Sequence, residues 1–133
     1  MAGKITQYII ASGAADASGD ATATTEKILR GKLKAISLIY DASSAAGTDV
    51  TVDHLVKYGT QTVTENLLTI GDANTSAKFY PRAYAEDTAG ADLTYDGINE
   101  IPTEFVLFGP VKITIANQTE GKAVTAILHV EEY

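Results

Sequence analysis

Apolar and polar positions alternate along much of this chain. In "TDVTVDHLV" Val50, Val52 and His54 fall on one side, and Thr51, Asp53 and Leu55 on the other. In "VKITIA" Val111, Ile113 and Ile115 face away from Lys112 and Thr114. "AVTAILHVEE" places Val124, Ala126, Leu128 and Val130 together. A period of two is the signature of half-buried strands. "LKAISLIYD" is apolar on both sides after Ala35, which predicts a central or doubly covered strand, and "QTVTENLLTI" predicts a weaker one.

Clusters of Gly, Asn, Asp, Ser and Pro separate these runs, among them "DASSAAGTD", "GDANTSA", "YDGINEIP", "FGP" and "NQTEGK". Each is ordinary turn chemistry. Short strands at such spacing predict an all-β, single-domain antiparallel sandwich, jelly-roll-like or barrel-like, of about eight or nine strands. "EKILRGKLKAI" offers at most a helical turn, because Gly31 interrupts it. Residues 31–133 are expected to form the sandwich, and residues 1–30 an N-terminal strand followed by a flexible Ala/Gly/Ser/Thr-rich segment. That segment, "GAADASGDATATT" at 13–25, is too small-featured to pack a core. It reads as a hairpin tip or linker, or as an arm that orders on a neighbour.

Composition narrows the chemistry. The 133 residues carry a formal net charge of −7. Phosphate binding needs clustered Lys and Arg, so nucleic acid is not an expected partner. An anionic membrane surface is disfavoured for the same reason. With no cysteine, disulfides, thiolate metal sites and cysteine nucleophiles are excluded. The patch Tyr8, Ile9 and Ile10 is shorter than the about 7–15 apolar residues of a signal-peptide core. No run reaches the about 18 of a membrane helix, so a soluble protein is expected.

Catalytic candidates are few. The two histidines, His54 and His129, sit in alternating strands. A nucleophilic site would need Ser12, Ser18, Ser37, Ser43, Ser44 or Ser76 beside one of them. None of these serines lies in a Gly-x-Ser-x-Gly elbow, and structural histidines are the expectation. Glu86, Asp87, Asp92 and Asp96 lack the spacing of a calcium loop and read as solvated turn residues. No tightly bound metal, no cofactor and no catalysis are expected. A glycosidase cleft is poorly served by a chain with no Trp and only three Phe.

One stretch needs its own account: "FYPRAYAEDTAGADLTYDG", residues 79–97. It sets Arg82, Glu86 and Asp87 among Tyr80, Tyr84 and Tyr95. The planar fork of Arg82 suits a carboxylate, so a brace to Glu86 or Asp87 is expected, with a partner contact as the other reading. Together with "EFVLFGPVKITIANQTEGKAVTAILHVEEY" this stretch resembles the C-terminal half of small β-sandwich proteins from the structural gene clusters of tailed bacteriophages. The matching segments are Tyr80-Pro81-Arg82, Asp87-Thr88-Ala89-Gly90, Tyr95-Asp96-Gly97 and Val111 to Asn117, and the early "GKLKAISLIY" also fits. The resemblance covers roughly residues 30–133 and rests on turn and strand residues.

The resemblance implies a head-associated, non-enzymatic role, that of a capsid decoration or cement protein on the virion exterior. Its expected partners are the major capsid protein and further copies of itself, as a homotrimer. The alternative is a carbohydrate- or host-surface-binding β-module of a fibre or tail, with Phe79, Tyr80, Tyr84 and Tyr95 as an aromatic platform. In "KITQYIIA" the apolar residues Ile5, Tyr8, Ile9 and Ile10 suit either an inter-subunit arm that adds a strand to a neighbour or an ordinary strand of the chain's own sandwich.

Overall fold

The computed structural model describes residues 3–86, 88–94 and 97–132, with the side chain of Tyr58 excepted. It is an antiparallel β-sandwich with no helix among those residues and no closed barrel. The strands are β1 (Lys4–Ala11), β2 (Ala21–Thr24), β3 (Leu29–Tyr40), β4 (Asp49–Tyr58), β5 (Gln61–Ile70), β6 (Ala77–Phe79), β7 (Ala83–Tyr84), β8 (Pro102–Thr103), β9 (Val106–Gly109), β10 (Val111–Ala116) and β11 (Val124–Glu132). One sheet has five strands in the order β1-β11-β3-β6, with β9 also paired to β3. The other has four, β2-β10-β4-β5, and β7 with β8 makes a short ribbon.

The alternating runs become the strands that face each other across the core. Val50, Val52, Val111, Ile113 and Ile115 are fully buried from the four-stranded sheet. Leu29, Leu33, Ile36, Leu38, Val124, Ala126, Leu128 and Val130 are fully buried from the five-stranded sheet. Burial of a Val, Leu or Ile side chain stabilises by about 1.5–3 kcal/mol, so these two layers supply the main favourable contribution. β3 is central, as its pattern predicts. It is not covered on both faces: Ile39 remains 46% exposed on the outer side. The helical turn envisaged near residues 26–36 is absent, because Leu29 and Leu33 alternate inward and leave Arg30 and Lys32 exposed.

The N-terminal thirty residues carry strands β1 and β2. β1 lies on β11 of its own chain over eight residue pairs, Lys4 to Ala11. Residues 13–25 are not merely a linker. Ala21–Thr24 pair with β10, Ala15 is buried, and Ala21 and Ala23 pack against the core. The preceding turn is closed by Asp16, whose Oδ1 accepts from the amides of Ser18 and Asp20.

The central pair contains a bulge. Along β11 the partner of His129 is Ala35 and that of Val130 is Leu33, which leaves Lys34 unopposed. The extra residue inverts the alternation, so Leu33 and Ile36 both point inward. Just before the bulge Gly31 adopts φ 133°, and a Cβ there would collide with the Glu131 carbonyl. We expect Gly31→Ala to lower unfolding free energy by about 2–4 kcal/mol in urea titration, since the substitution combines strained φ with overpacking. An effect below about 0.5 kcal/mol would show that β3 and β11 separate at this point without cost.

Candidate functional site

The 79–97 stretch is not a featureless loop. Ala83–Tyr84 pair with Pro102–Thr103, and isolated bridges join Glu86 to Asp92 and Thr94 to Glu100. The amide of Leu93 donates to the Ala85 carbonyl, and that of Ile101 to the Leu93 carbonyl. The segment is thus a small three-ply lobe at one edge of the sandwich. Glu86 and Asp92 face each other across a bridge and are exposed. Asp87, Tyr95 and Asp96 lie outside the described residues.

Arg82 donates to two backbone carbonyls, and the Asp87 alternative of the expected brace lies outside the described residues. The Arg82 Nη1 donates to the Lys34 carbonyl at 3.2 Å and to its own neighbour Pro81 at 2.8 Å. Among the described residues it makes no ion pair with Glu86. The bulge explains the choice. Lys34 has no directly opposed β11 partner, and the guanidinium takes its carbonyl. The Lys34 ammonium meanwhile reaches Glu104, at 2.8 and 3.1 Å to the two carboxylate oxygens. That hydrogen bond, with the charges of Lys34, Arg82 and Lys32, holds the Glu104 carboxyl below its ordinary value of 4.5.

Tyr80 and Tyr84 are 64% and 52% exposed, and the Lys78 ammonium sits over the Tyr80 ring at 5.5 Å from its centroid. Phe79, by contrast, pairs with Ile36 and packs against the core. Of the candidate N-terminal residues, Ile10 is buried and Tyr8 packs inward, while Ile5 and Ile9 stand outward. The Tyr8 hydroxyl donates to the Glu132 carboxylate.

Five exposed large apolar side chains, Ile5, Ile9, Ile39, Val106 and Phe108, lie on the outer face of the five-stranded sheet, and Tyr84, Leu93, Ile98 and Ile101 lie on the 83–103 lobe. Ile9 lies opposite Ile127, and Ile39 opposite Thr125 on the same side. Val106 and Phe108 stand beyond β3, 66% and 60% exposed, opposite Lys32 and Arg30. The Arg30 guanidinium rests 4.9 Å above the Phe108 ring. The outer face of the four-stranded sheet has a different chemistry. There Thr22, Thr114, Thr51 and Thr69 form one row across all its strands, next to Lys112, Asp53 and Asn66. The five-stranded face carries two apolar groups, Ile9 with Ile127 and Ile39 at one end and Val106 with Phe108 at the other, separated by Lys32, Glu131, His129 and Gln7, and the other face is hydroxylated.

Both histidines have structural partners. His54 is buried; its Nδ1 donates to Glu65 at 3.0 Å, and its Nε2 accepts from the Phe108 amide at 3.1 Å. It thereby ties β4 of one sheet to β9 of the other. His129 Nε2 lies 3.2 Å from Ser37 Oγ, the one Ser–His juxtaposition among the described residues. It lacks the other parts of a nucleophilic site. No described carboxylate orients the ring, and burial, then the Lys78 charge, lowers its pKa from 6.5 and disfavours the imidazolium that the reaction needs. The pair also lies on two mid-sheet strands, each paired on both sides, whose ladder engages the amides an oxyanion hole would require. No three of the described His, Asp and Glu residues gather as a metal site.

Gln118 has a role the sequence pattern did not indicate. Buried at one end of the sandwich, its Oε1 accepts from the Ala45 amide, the Thr48 hydroxyl and the Thr119 amide. Its Nε2 donates to Ser44 Oγ. One amide therefore locks two loops over the core. The only sequence sign was an uncharged polar residue inside the turn "NQTEGK".

No family model matches the chain, and no curated protein matches it. Among solved structures it is similar to "Family 16 Carbohydrate Binding Module-2", with 10% identity and TM-score 0.35 over 84% of this chain and 68% of that one. It is also similar to a chain in "Structure of infectious bursal disease virus Gx strain", with 11% identity and TM-score 0.40. That match covers 98% of this chain but 34% of the viral one. These likenesses concern the all-β fold and nothing finer.

Two outcomes follow from the site's bonding. Arg82→Ala leaves the bulge carbonyl unpaired and should cost about 1–2 kcal/mol in urea unfolding, with Arg82→Lys failing to restore most of it; full recovery by Lys would show that charge alone matters. The pH dependence has a definite sign. His129 is held below 6.5 in the fold, so the unfolded chain binds the proton first. Stability should fall as pH drops through 6.5 toward the folded value, and His129→Gln should flatten that step in thermal melts between pH 8 and 5. A step of equal size in the variant would assign it to another group.

Proposed function

We propose that this chain is a virion structural protein, a capsid decoration protein that docks on the major capsid protein and reinforces the shell from outside. The single observation that carries this reading is the uncovered apolar face of the five-stranded sheet. A lone sandwich in water normally alternates apolar-in and polar-out. Here Ile9 and Ile39 face outward at one end of the face and Val106 and Phe108 at the other, the latter beside Lys32 and Arg30. Exposed apolar groups rimmed by polar side chains mark interaction sites. The phage head-protein resemblance of residues 79–97 and 104–133 supports the identity of the partner, and among the described residues no assembled catalytic group competes with this reading.

A second reading has its own support. Tyr80, beside Lys78, and Tyr84 are exposed rings and suit stacking on a sugar, as in a carbohydrate-binding module of a fibre or tail. The two readings separate in one experiment. Purified chain is sedimented with head shells built from the major capsid protein of the same virus, and separately presented to a glycan array. Decoration predicts cosedimentation and a raised shell melting temperature, both lost in Phe108→Asp and retained in Tyr84→Ala. Glycan binding without shell binding would overturn it.

A further inference from the structure

The sandwich has five strands with a free side, and four of them are blunted. β2 has four residues, β6 three and β9 four, too short to template a partner. β5 is long, but Leu67 bulges out of its register and Glu65 charges it. These are the usual devices against edge-to-edge pairing. β1 has none of them. Its eight residues, "KITQYIIA", run without a register shift, contain no Pro, and carry charge only at Lys4 on the end.

The hydrogen-bond phase of β1 shows what that edge offers. The Ser12 amide donates to the Val124 carbonyl opposite it. Hydrogen-bonded and non-bonded pairs alternate along an antiparallel ladder. The main-chain groups of Thr6, Tyr8 and Ile10 therefore turn toward β11, and those of Ile5, Gln7, Ile9 and Ala11 turn to the free side. The same odd-numbered residues carry the outward side chains, Ile5 at 50% and Ile9 at 68% exposure.

We propose that β1 is a self-pairing edge: two copies of this chain join β1 to β1 antiparallel about a two-fold axis at Gln7. Identical strands in antiparallel register are related by a two-fold, so the contact closes on itself. With Gln7 opposite Gln7, Ile5 of each copy lies opposite Ile9 of the other, twice. Direct cross-strand pairs of β-branched residues stabilise a sheet. About six main-chain hydrogen bonds form, two for each bonded pair. No charge lies inside the join, because each Lys4 falls at its end. The result is one continuous ten-stranded sheet, from five in each copy. The cleft of about 360 Å³ between β1 and β2, lined by Tyr8, Ile10, Ala23 and Leu29, opens beside the same edge and is closed by the second copy. This pair is two-fold, unlike the three-fold assembly implied by the phage resemblance, and does not depend on the capsid reading.

The test is sedimentation equilibrium across micromolar to millimolar concentration, with amide hydrogen exchange at both ends of the range. Wild type should dimerise. The amides of Ile5, Gln7 and Ile9 should slow with concentration, while those of Tyr8 and Ile10, bonded to β11, stay protected throughout. Gln7→Pro removes an outward amide, a position where an edge strand tolerates proline. It should weaken the dimer about 100-fold, through loss of both central bonds, while the monomer keeps its melting temperature. If that variant misfolds, Ile9→Lys preserves the backbone and should weaken the dimer by charge. A monomeric wild type at millimolar concentration would overturn the proposal. So would a dimer whose concentration-dependent protection lies away from residues 5–9, or one unaffected by either folded variant.

Discussion

Everything in this molecule hangs on the contact between two apolar layers, β3 with β11 on one side and β10 with β4 on the other. Those four strands hold nearly all the fully buried side chains, from Leu33 and Ile36 to Val52 and Ile113. The contact forces a strict alternation, and alternation decides which residues are left for work on the outside. Where the alternation must break, at Lys34, the fold spends side chains to repair it. Arg82 takes the bulge carbonyl and Glu104 takes the Lys34 ammonium. The repair fixes the small lobe of residues 83–103 against the sheet. Arg82 and Glu104, at the two ends of that lobe, are thus held by a backbone irregularity some fifty positions or more earlier in the chain.

The two sheets are also tied directly. His54 bridges from β4 to the backbone of β9, and Gly109 lets the chain pass close to Leu55, where a Cβ would strike its carbonyl. At the other end Gln118 binds the loop around Ala45 and Thr48. With both ends pinned, the outer faces are rigid platforms. One platform is rich in Thr, and the other carries Ile9, Ile39, Val106 and Phe108.

Much of the fold was legible in the chain because large β-branched residues recur every second position. Strands at 49–58, 111–116 and 124–132 follow from that pattern alone. β2 was not legible, because its inward residues are Ala21 and Ala23, whose burial leaves no large-hydrophobe signal. The partner of Arg82 was not legible either. Sequence proximity favoured Glu86 or Asp87, whereas an acceptor among the described residues is a carbonyl freed by a bulge that no local motif announces. His54 could be placed inward by its alternation with Val50 and Val52, but its tie to Phe108 depends on where β9 lands. The apolar outer face becomes visible only once pairing aligns Ile9 with Ile127 and Ile39 with Thr125.

The central claim is that the five-stranded face is built to be covered by a capsid shell. A cryo-electron microscopy map of the virus particle that carries this chain tests it most directly. The account predicts density for the sandwich on the shell exterior, with Ile39, Val106 and Phe108 turned toward the capsid subunits and the Thr-rich sheet toward solvent. A map that places the chain on a tail fibre, or on the shell with the five-stranded face open to solvent, would contradict it.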